Sequence, residues 1–292
     1  MCHRTHEEGS AMPAFDTPEP ITLDIDVYVG QVRVNAGDRA DTVVEVRPSD
    51  PSADASVQAA EQTIVQFSGG RLLVKGPKPK GLAHLRSWRG SIDVTVGLPA
   101  GSRVEAKVAA DFIATGTLGE TVLRSLNGDV RLEKTGPLEA KASVGDISVD
   151  LVAGAAEVTA STGAIRIGAI DGPGTVKNST GAVTIGEVTG DLQVKTGIGD
   201  ITIDRVPADI TARTAHGRIR IGSAVSGTVR IEGGHGKVDI GIPEGTAAWL
   251  DVHSKHGVVR NALTSAEGPE DTDTVVEVHA HTNWGDIDIH RS

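Results

Sequence analysis

A glycine recurs through the middle of this 292-residue sequence at almost fixed spacing. Gly128, Gly145, Gly163, Gly181, Gly199, Gly217 and Gly236 stand 17, 18, 18, 18, 18 and 19 residues apart, and looser copies follow at Gly257 and Gly285. Two positions after each glycine of the regular series come Val130, Ile147, Ile165, Val183, Ile201, Ile219 and Val238. Four positions after come Leu132, Val149, Ile167, Ile185, Ile203, Ile221 and Ile240. That alternation has the two-residue period of a β-strand. A second short strand fills the other half of each unit, as in Ala156-Glu-Val-Thr-Ala, Gly174-Thr-Val-Lys-Asn and Asp209-Ile-Thr-Ala-Arg. Stacked, such units pair every strand with its copies above and below and fill a narrow interior with ladders of Ile, Val, Leu and Ala. The expected fold is all-β, a parallel β-solenoid (β-helix) with two-strand coils of 18 residues. A left-handed hexapeptide helix needs an apolar anchor every six residues, and Ile165, Ile167, Ile170, Val176 and Val183 do not keep that interval. Propeller blades, at about 40 residues, are too long for the period.

Composition agrees with a thin, turn-rich core. Glycine numbers 36, whereas Phe, Trp and Tyr number only 3, 3 and 1. A layered enzyme core normally leans on aromatics, which bury far more area than Val or Ala. The open ends of a solenoid must be closed, because bare strand edges recruit other chains. Residues 1–19 read as a tail and 20–98 as a β-rich N-terminal cap out of register with the repeat, with a helix over Ala53–Gln62. The regular solenoid spans 99–241, bracketed by Gly97-Leu-Pro-Ala-Gly and Gly241-Ile-Pro-Glu-Gly. Residues 242–292 are expected to form a C-terminal cap whose Trp249 and Trp284 cover the last apolar ladder.

Several segments resemble a bacterial β-strand-repeat family. They are Phe15-Asp-Thr-Pro-Glu-Pro-Ile, the strand Asp41-Thr-Val-Val-Glu-Val-Arg-Pro-Ser-Asp, the tandem Gly-Asp-Ile/Val units, and Glu244-Gly-Thr-Ala-Ala-Trp-Leu-Asp-Val. That family is common in actinobacteria, is catalogued as a domain of unknown function, and carries the label "putative adhesin". The resemblance covers residues 12–292. It implies a β-solenoid with cap regions and supplies no established activity and no catalytic residues.

The net charge of −11 disfavours a nucleic-acid or anionic-membrane surface, which would call for a basic footprint. Cys2 is the only cysteine, so neither an intrachain disulfide nor a cysteine-based zinc cluster forms. The first 25 residues contain no apolar run of secretory length, and no stretch approaches the ~18 apolar residues of a membrane helix. A cytoplasmic protein without a cofactor is expected.

In a solenoid, residues one repeat apart become stacked neighbours about 4.8 Å apart, so columns matter more than linear motifs. The column just before the glycine contains His216, His235, His256 and Trp284. Stacked imidazoles suit a metal, acid–base work or an anion. Arg218 and Lys237, one place beyond the glycine, favour the anion. The plain alternative is a set of solvated turn histidines. A second candidate patch is Lys78, Lys80, Arg86, Trp88 and Arg89, an acid-free cationic loop around an aromatic anchor. A solvated hairpin connection has the same composition. The post-glycine column also holds Asp129 and Asp146, the only adjacent carboxylates that suggest a polysaccharide-cleaving acid–base pair. Asp next to Gly is equally an ordinary turn choice. No Ser-His-Asp spacing, phosphate loop or His-Glu-x-x-His helix occurs. The sequence thus reads as a non-enzymatic binding or scaffold module for a protein partner, an extended polymer or an anion. A carbohydrate-active enzyme acting on acidic polysaccharide and a surface adhesin are the alternatives.

Overall fold

The computed structural model describes residues 13–77, 90–263 and 274–292. Two long sheets face each other, one of 14 strands and one of 13, and each regular coil gives one strand to each. Pairing along the array is parallel and in register, so Ile147 sits beside Ile165 and Val158 beside Val176. The chain is a parallel β-solenoid, as the repeat predicts. In the 14-stranded sheet the ladder Ile147, Ile165, Val183, Ile201, Ile219, Val238 and Ile287 is fully buried. The matching ladder in the other sheet is smaller: Ala140, Val158, Val176, Val194, Ala212, Ile231 and Ala280. Mostly Ile on one sheet against Val and Ala on the other fill the gap, and among the described residues Phe112 is the only aromatic in the set of largest fully buried side chains. Among the described residues no helix is long and apolar enough to cross a membrane.

The repeat turns where the glycine column sits. Gly181 has φ +136°, and a Cβ built there would lie 2.0 Å from the Gly163 carbonyl oxygen of the preceding coil. That carbonyl also accepts a hydrogen bond from the buried Asn178 Nδ2 at 2.8 Å. Ser254 Oγ donates likewise to the Gly285 carbonyl at 2.8 Å. The turn therefore needs a residue without a side chain, and polar residues three places earlier satisfy its inward carbonyls.

The N-terminal region is in register sooner than the sequence suggests. Strands Thr22–Val27 and Gly30–Gly37 form a complete first coil, pairing in parallel with Arg103–Val108 and Asp111–Thr117. The period is hidden because residues 38–102 intervene before the second coil. That excursion supplies the helix Asp54–Glu61, close to its expected bounds, and the antiparallel strands Asp41–Pro48 and Ile64–Ser68. Ala14–Asp16, within the segment read as a tail, pairs with Asp41–Pro48 as an edge strand. Phe15 and Phe67, from the outermost strand of each sheet, have ring centroids 5.1 Å apart and seal this end.

At the other end strand order departs from chain order. Thr274–Trp284 inserts between Gly227–His235 and Thr246–His256, leaving the latter at the sheet edge. Ile287–Arg291 likewise separates Val238–Ile242 from the edge strand Val259–Asn261. The expectation that Trp249 and Trp284 plug the last ladder is incorrect, since they are 61% and 51% exposed. Trp249 alternates with the inward-facing Leu250 and points outward, and Trp284 belongs to the exposed column before the glycine.

Candidate functional site

Because each coil closes on the same glycine, the residue before it is held at the same corner in every coil. The corner column at the C-terminal end runs His216, His235, Trp284, His256. The three histidines are therefore not consecutive, because the inserted final strand places Trp284 between His235 and His256. His216 and His235 stack with centroids 4.9 Å apart and planes 4° apart. His235 and Trp284 are 6.2 Å apart at 3°, and Trp284 and His256 are 4.0 Å apart at 21°. Backbone bonds from Gly217 to the His235 carbonyl and from Gly236 to the Trp284 carbonyl, each 2.8 Å, fix this spacing. Inside the stack the ring faces cover one another. What the column offers solvent is a row of ring edges, which carry the imidazole nitrogens. Among the described residues no group of three or more metal-ligating side chains lies together.

The two cations assigned to this patch differ. Lys237 is committed to Asp288 at 2.6 Å and Asp239 at 3.5 Å. Its ammonium is held above the ordinary value, chiefly by the hydrogen bond to Asp288. Arg218 donates its backbone N–H to Asp200 Oδ1 at 2.7 Å, and its guanidinium has no ion pair among the described residues. Lys78, Lys80, Arg86, Trp88 and Arg89 lie outside the described residues.

The post-glycine carboxylates prove to be straps between coils. Asp129 Oδ1 accepts the Asp146 N–H at 3.0 Å, Asp146 Oδ1 the Ala164 N–H at 2.8 Å, and Asp286 Oδ1 the Val258 N–H at 2.9 Å. The second oxygens of Asp129 and Asp146 hold Arg131 and Arg166, both at 3.0 Å. Asp146 is kept below its ordinary pKa, first by the Ala164 N–H and then by Arg166. All four oxygens of this pair are thus engaged by backbone N–H groups and guanidinium groups of the chain itself, which is the arrangement of a structural strap. Because the folded-state pKa is depressed, the strap stabilises fully above the unfolded value near 3.8 and is lost as pH falls through the folded value. Asp146→Ala is expected to cost about 1 kcal/mol at pH 7, the low end for a half-exposed charged hydrogen bond. Urea denaturation of variant and wild type should show that gap at pH 7 and see it close toward pH 2.

A second column on the same sheet escapes sequence reading. Lys107, Arg124, Lys141, Thr159, Lys177, Lys195 and Arg213 stack in register on the outer face of the 13-stranded sheet. In its first half Glu139 neutralises the cations, lying 2.8 Å from Lys141 and 3.8 Å from Arg124. In its second half Arg213 meets Glu232 at 2.9 Å, whereas Lys177 and Lys195 have no ion pair among the described residues. The adjacent outward column changes in step, from Glu139 and Glu157 to Thr175, Gln193 and Thr211. A shallow depression of about 270 Å³ lies over Thr175, Lys177, Gln193, Lys195, Thr211 and Arg213. Between these cations and the corner column lies a floor of small residues, Ser179, Gly197, Ala215 and Gly234. A larger concavity of about 370 Å³ at the opposite corner carries Glu120, Glu139 and Glu157 and so has the opposite polarity.

A family model described as Toastrack DUF4097 matches residues 22–290. None of the curated proteins matches the chain. Among solved structures, one from Parabacteroides merdae named "putative adhesin" is 13% identical over 94% of this chain and 95% of that one, with a TM-score of 0.37. One from Bacteroides fragilis with the same name is 12% identical over 97% and 98%, with a TM-score of 0.35. A third, from Parabacteroides distasonis, is named "Putative lipid binding protein". It is 9% identical over 98% of each chain, with a TM-score of 0.35.

Proposed function

This chain belongs to the Toastrack DUF4097 family, and on that footing we propose that it is a non-enzymatic binding module for an extended acidic polysaccharide laid along the solenoid axis. The observation that carries the reading is the acid-free stretch at Lys177 and Lys195, continued by Arg213 beside the imidazole edges of His216 and His235. Like charges opposite one another on neighbouring strands destabilise a sheet. A chain with 39 acidic residues nevertheless places none within ion-pair range of Lys177 or Lys195 among the described residues. A ligand that brings its own negative charge relieves that repulsion.

Charge spacing and hydroxyl content both bear on the choice of polymer. The cations repeat at the strand separation, about 4.7–4.9 Å. An extended acidic peptide presents same-face side chains about 6.7 Å apart, two residues of strand rise. B-form DNA carries a phosphate about every 3.4 Å on each strand. A uronic acid chain carries one carboxylate per ring with hydroxyls beside it, and its rotatable glycosidic bonds let it follow the ladder. Its hydroxyls meet Thr175, Gln193 and Thr211 on one side and, at the Arg213 coil, His216 on the other.

The test is titration of the intact chain with polygalacturonate, using neutral dextran and single-stranded DNA as comparisons. Binding to the uronate polymer that weakens steeply between low and high salt supports the reading. No binding, or tighter binding to single-stranded DNA, contradicts it. Replacing His216, His235 and His256 together by Ala is expected to weaken polygalacturonate binding a few-fold, because exposed hydrogen bonds contribute little each. Thermal denaturation should be nearly unchanged, since all three are exposed. Cell fractionation then separates a cytoplasmic module from a surface adhesin using the same face.

A further inference from the structure

The two ends of the solenoid are finished differently. The N-terminal end closes with antiparallel strands and the Phe15–Phe67 contact. Among the described residues the C-terminal end stops on Thr246–His256, an 11-residue strand paired on one side only. Its inward residues Leu250 and Val252 are only half-buried, while their counterparts one strand back, Val278 and Ala280, are 0% exposed. In the facing sheet Val259 is 38% exposed beside Ile287 at 0%. Among the described residues the last rung of the core thus has less cover than the rung before it.

We infer that this end pairs with a second copy of the chain, Thr246–His256 lying antiparallel to itself about a two-fold axis at Val252. Antiparallel self-pairing that keeps inward residues inward must centre on a single residue, so only a few registers exist. Centred on Val252, Asp251 of each copy faces His253 of the other, and Trp249 faces Lys255. That makes two cation–aromatic pairs and two carboxylate–imidazole pairs on the outer face, the latter sharing an Asp251 carboxylate that also lies 3.4 Å from His279 and 3.7 Å from His281 of its own copy. On the inner face Val252 meets Val252 and Leu250 meets Ser254, which continues the core across the junction. Residues 248–256 of each copy overlap. Centring one residue earlier sets Asp251 against Asp251, and centring one later shortens the overlap and sets His253 against His253. The strand's own charges therefore select one register, and the partner that fits it is this same chain. Its outward side chains carry both the attraction and the specificity.

A two-fold axis perpendicular to the sheet joins the rods end to end and keeps both cationic ladders on one side. A polymer long enough to span both ladders would gain avidity, though the pairing itself does not depend on polymer binding.

Sedimentation equilibrium of the intact chain tests the inference. The wild type should form a reversible dimer of twice the 30.2 kDa chain mass. Asp251→Lys sets a lysine against His253, and His253→Asp sets a second carboxylate against Asp251, so each variant alone should self-associate at least tenfold more weakly. Mixed in equal amounts, the two variants should recover association as a heterodimer. The introduced lysine of one copy then faces the introduced aspartate of the other, and the native His253 faces the native Asp251. Both positions point outward, and the contacts that Asp251→Lys gives up, to His279 and His281 of the same copy, are exposed and individually weak, so circular dichroism should show wild-type folding. A wild-type chain that stays monomeric up to about 200 µM overturns the inference. Single variants that dimerise like wild type, or a mixture that stays monomeric, overturn it equally.

Discussion

Gly181→Ala is expected to lower the melting temperature by roughly 10 °C and to split a single unfolding transition into two. The new Cβ would require φ +136°, a region that L-residues rarely enter, and would stand 2.0 Å from the Gly163 carbonyl oxygen. Forcing such a backbone costs about 1–3 kcal/mol, and overpacking adds about 1–3 more. The neighbour cannot yield, since the Gly163 carbonyl also holds Asn178 and the next strand is bonded in register on both sides. A sum on the order of 4 kcal/mol corresponds to a shift of that size in a chain this long. Because coils contact only their neighbours, a broken coil in mid-array uncouples the two halves. The comparison is Gly245→Ala, where φ is +76° and nothing lies within 4 Å of a built Cβ. That change should cost only the backbone part, about 1 kcal/mol. Equal effects at the two positions would show that the turn does not depend on close approach between coils.

The glycine column was legible in the sequence because it reports a local requirement, repeated in phase with a two-residue alternation. Phase and ladder follow from those two signals, and Ile165, Ile167, Val183 and Ile185 all lie in the core where the alternation puts them. Strand order at the C-terminus was not legible. Nothing local to Thr274–Trp284 records that it pairs with Gly227–His235 rather than lying outermost. The same non-local choice places Trp284 within the histidine column. The Asp129–Asp146 pair was visible as a column, but its role depends on which N–H groups the oxygens reach, and only coordinates show that.

The cationic ladder was hidden for a different reason. Lys141, Lys177 and Lys195 occupy equivalent positions in their strands, so position alone cannot rank them. They differ in their neighbours: Glu139 lies two residues before Lys141, whereas Thr175 and Gln193 take that place before Lys177 and Lys195. Uncompensated charge is thus a property of two adjacent columns, and it appears once the register is known. The rod therefore has a polarity along its length: in the first half Glu120 and Glu139 pair with Arg103, Arg124 and Lys141, whereas in the second Lys177 and Lys195 have no ion pair among the described residues.

The largest functional effect is expected from removing that charge without altering shape. In Lys177→Gln, Lys195→Gln and Arg213→Gln combined, three exposed cations at up to about 1 kcal/mol each contribute some 10- to 100-fold in affinity at low salt. Folding should be nearly unaffected, since relief of the repulsion between the stacked lysines offsets loss of the exposed Arg213–Glu232 pair. Isothermal titration of polygalacturonate into wild-type and triple-variant protein, at matched low salt, tests the central claim most directly. Measurable binding by the wild type, a loss of at least tenfold in the variant and a nearly unchanged melting temperature are expected. Equal affinity in the two proteins would contradict the claim.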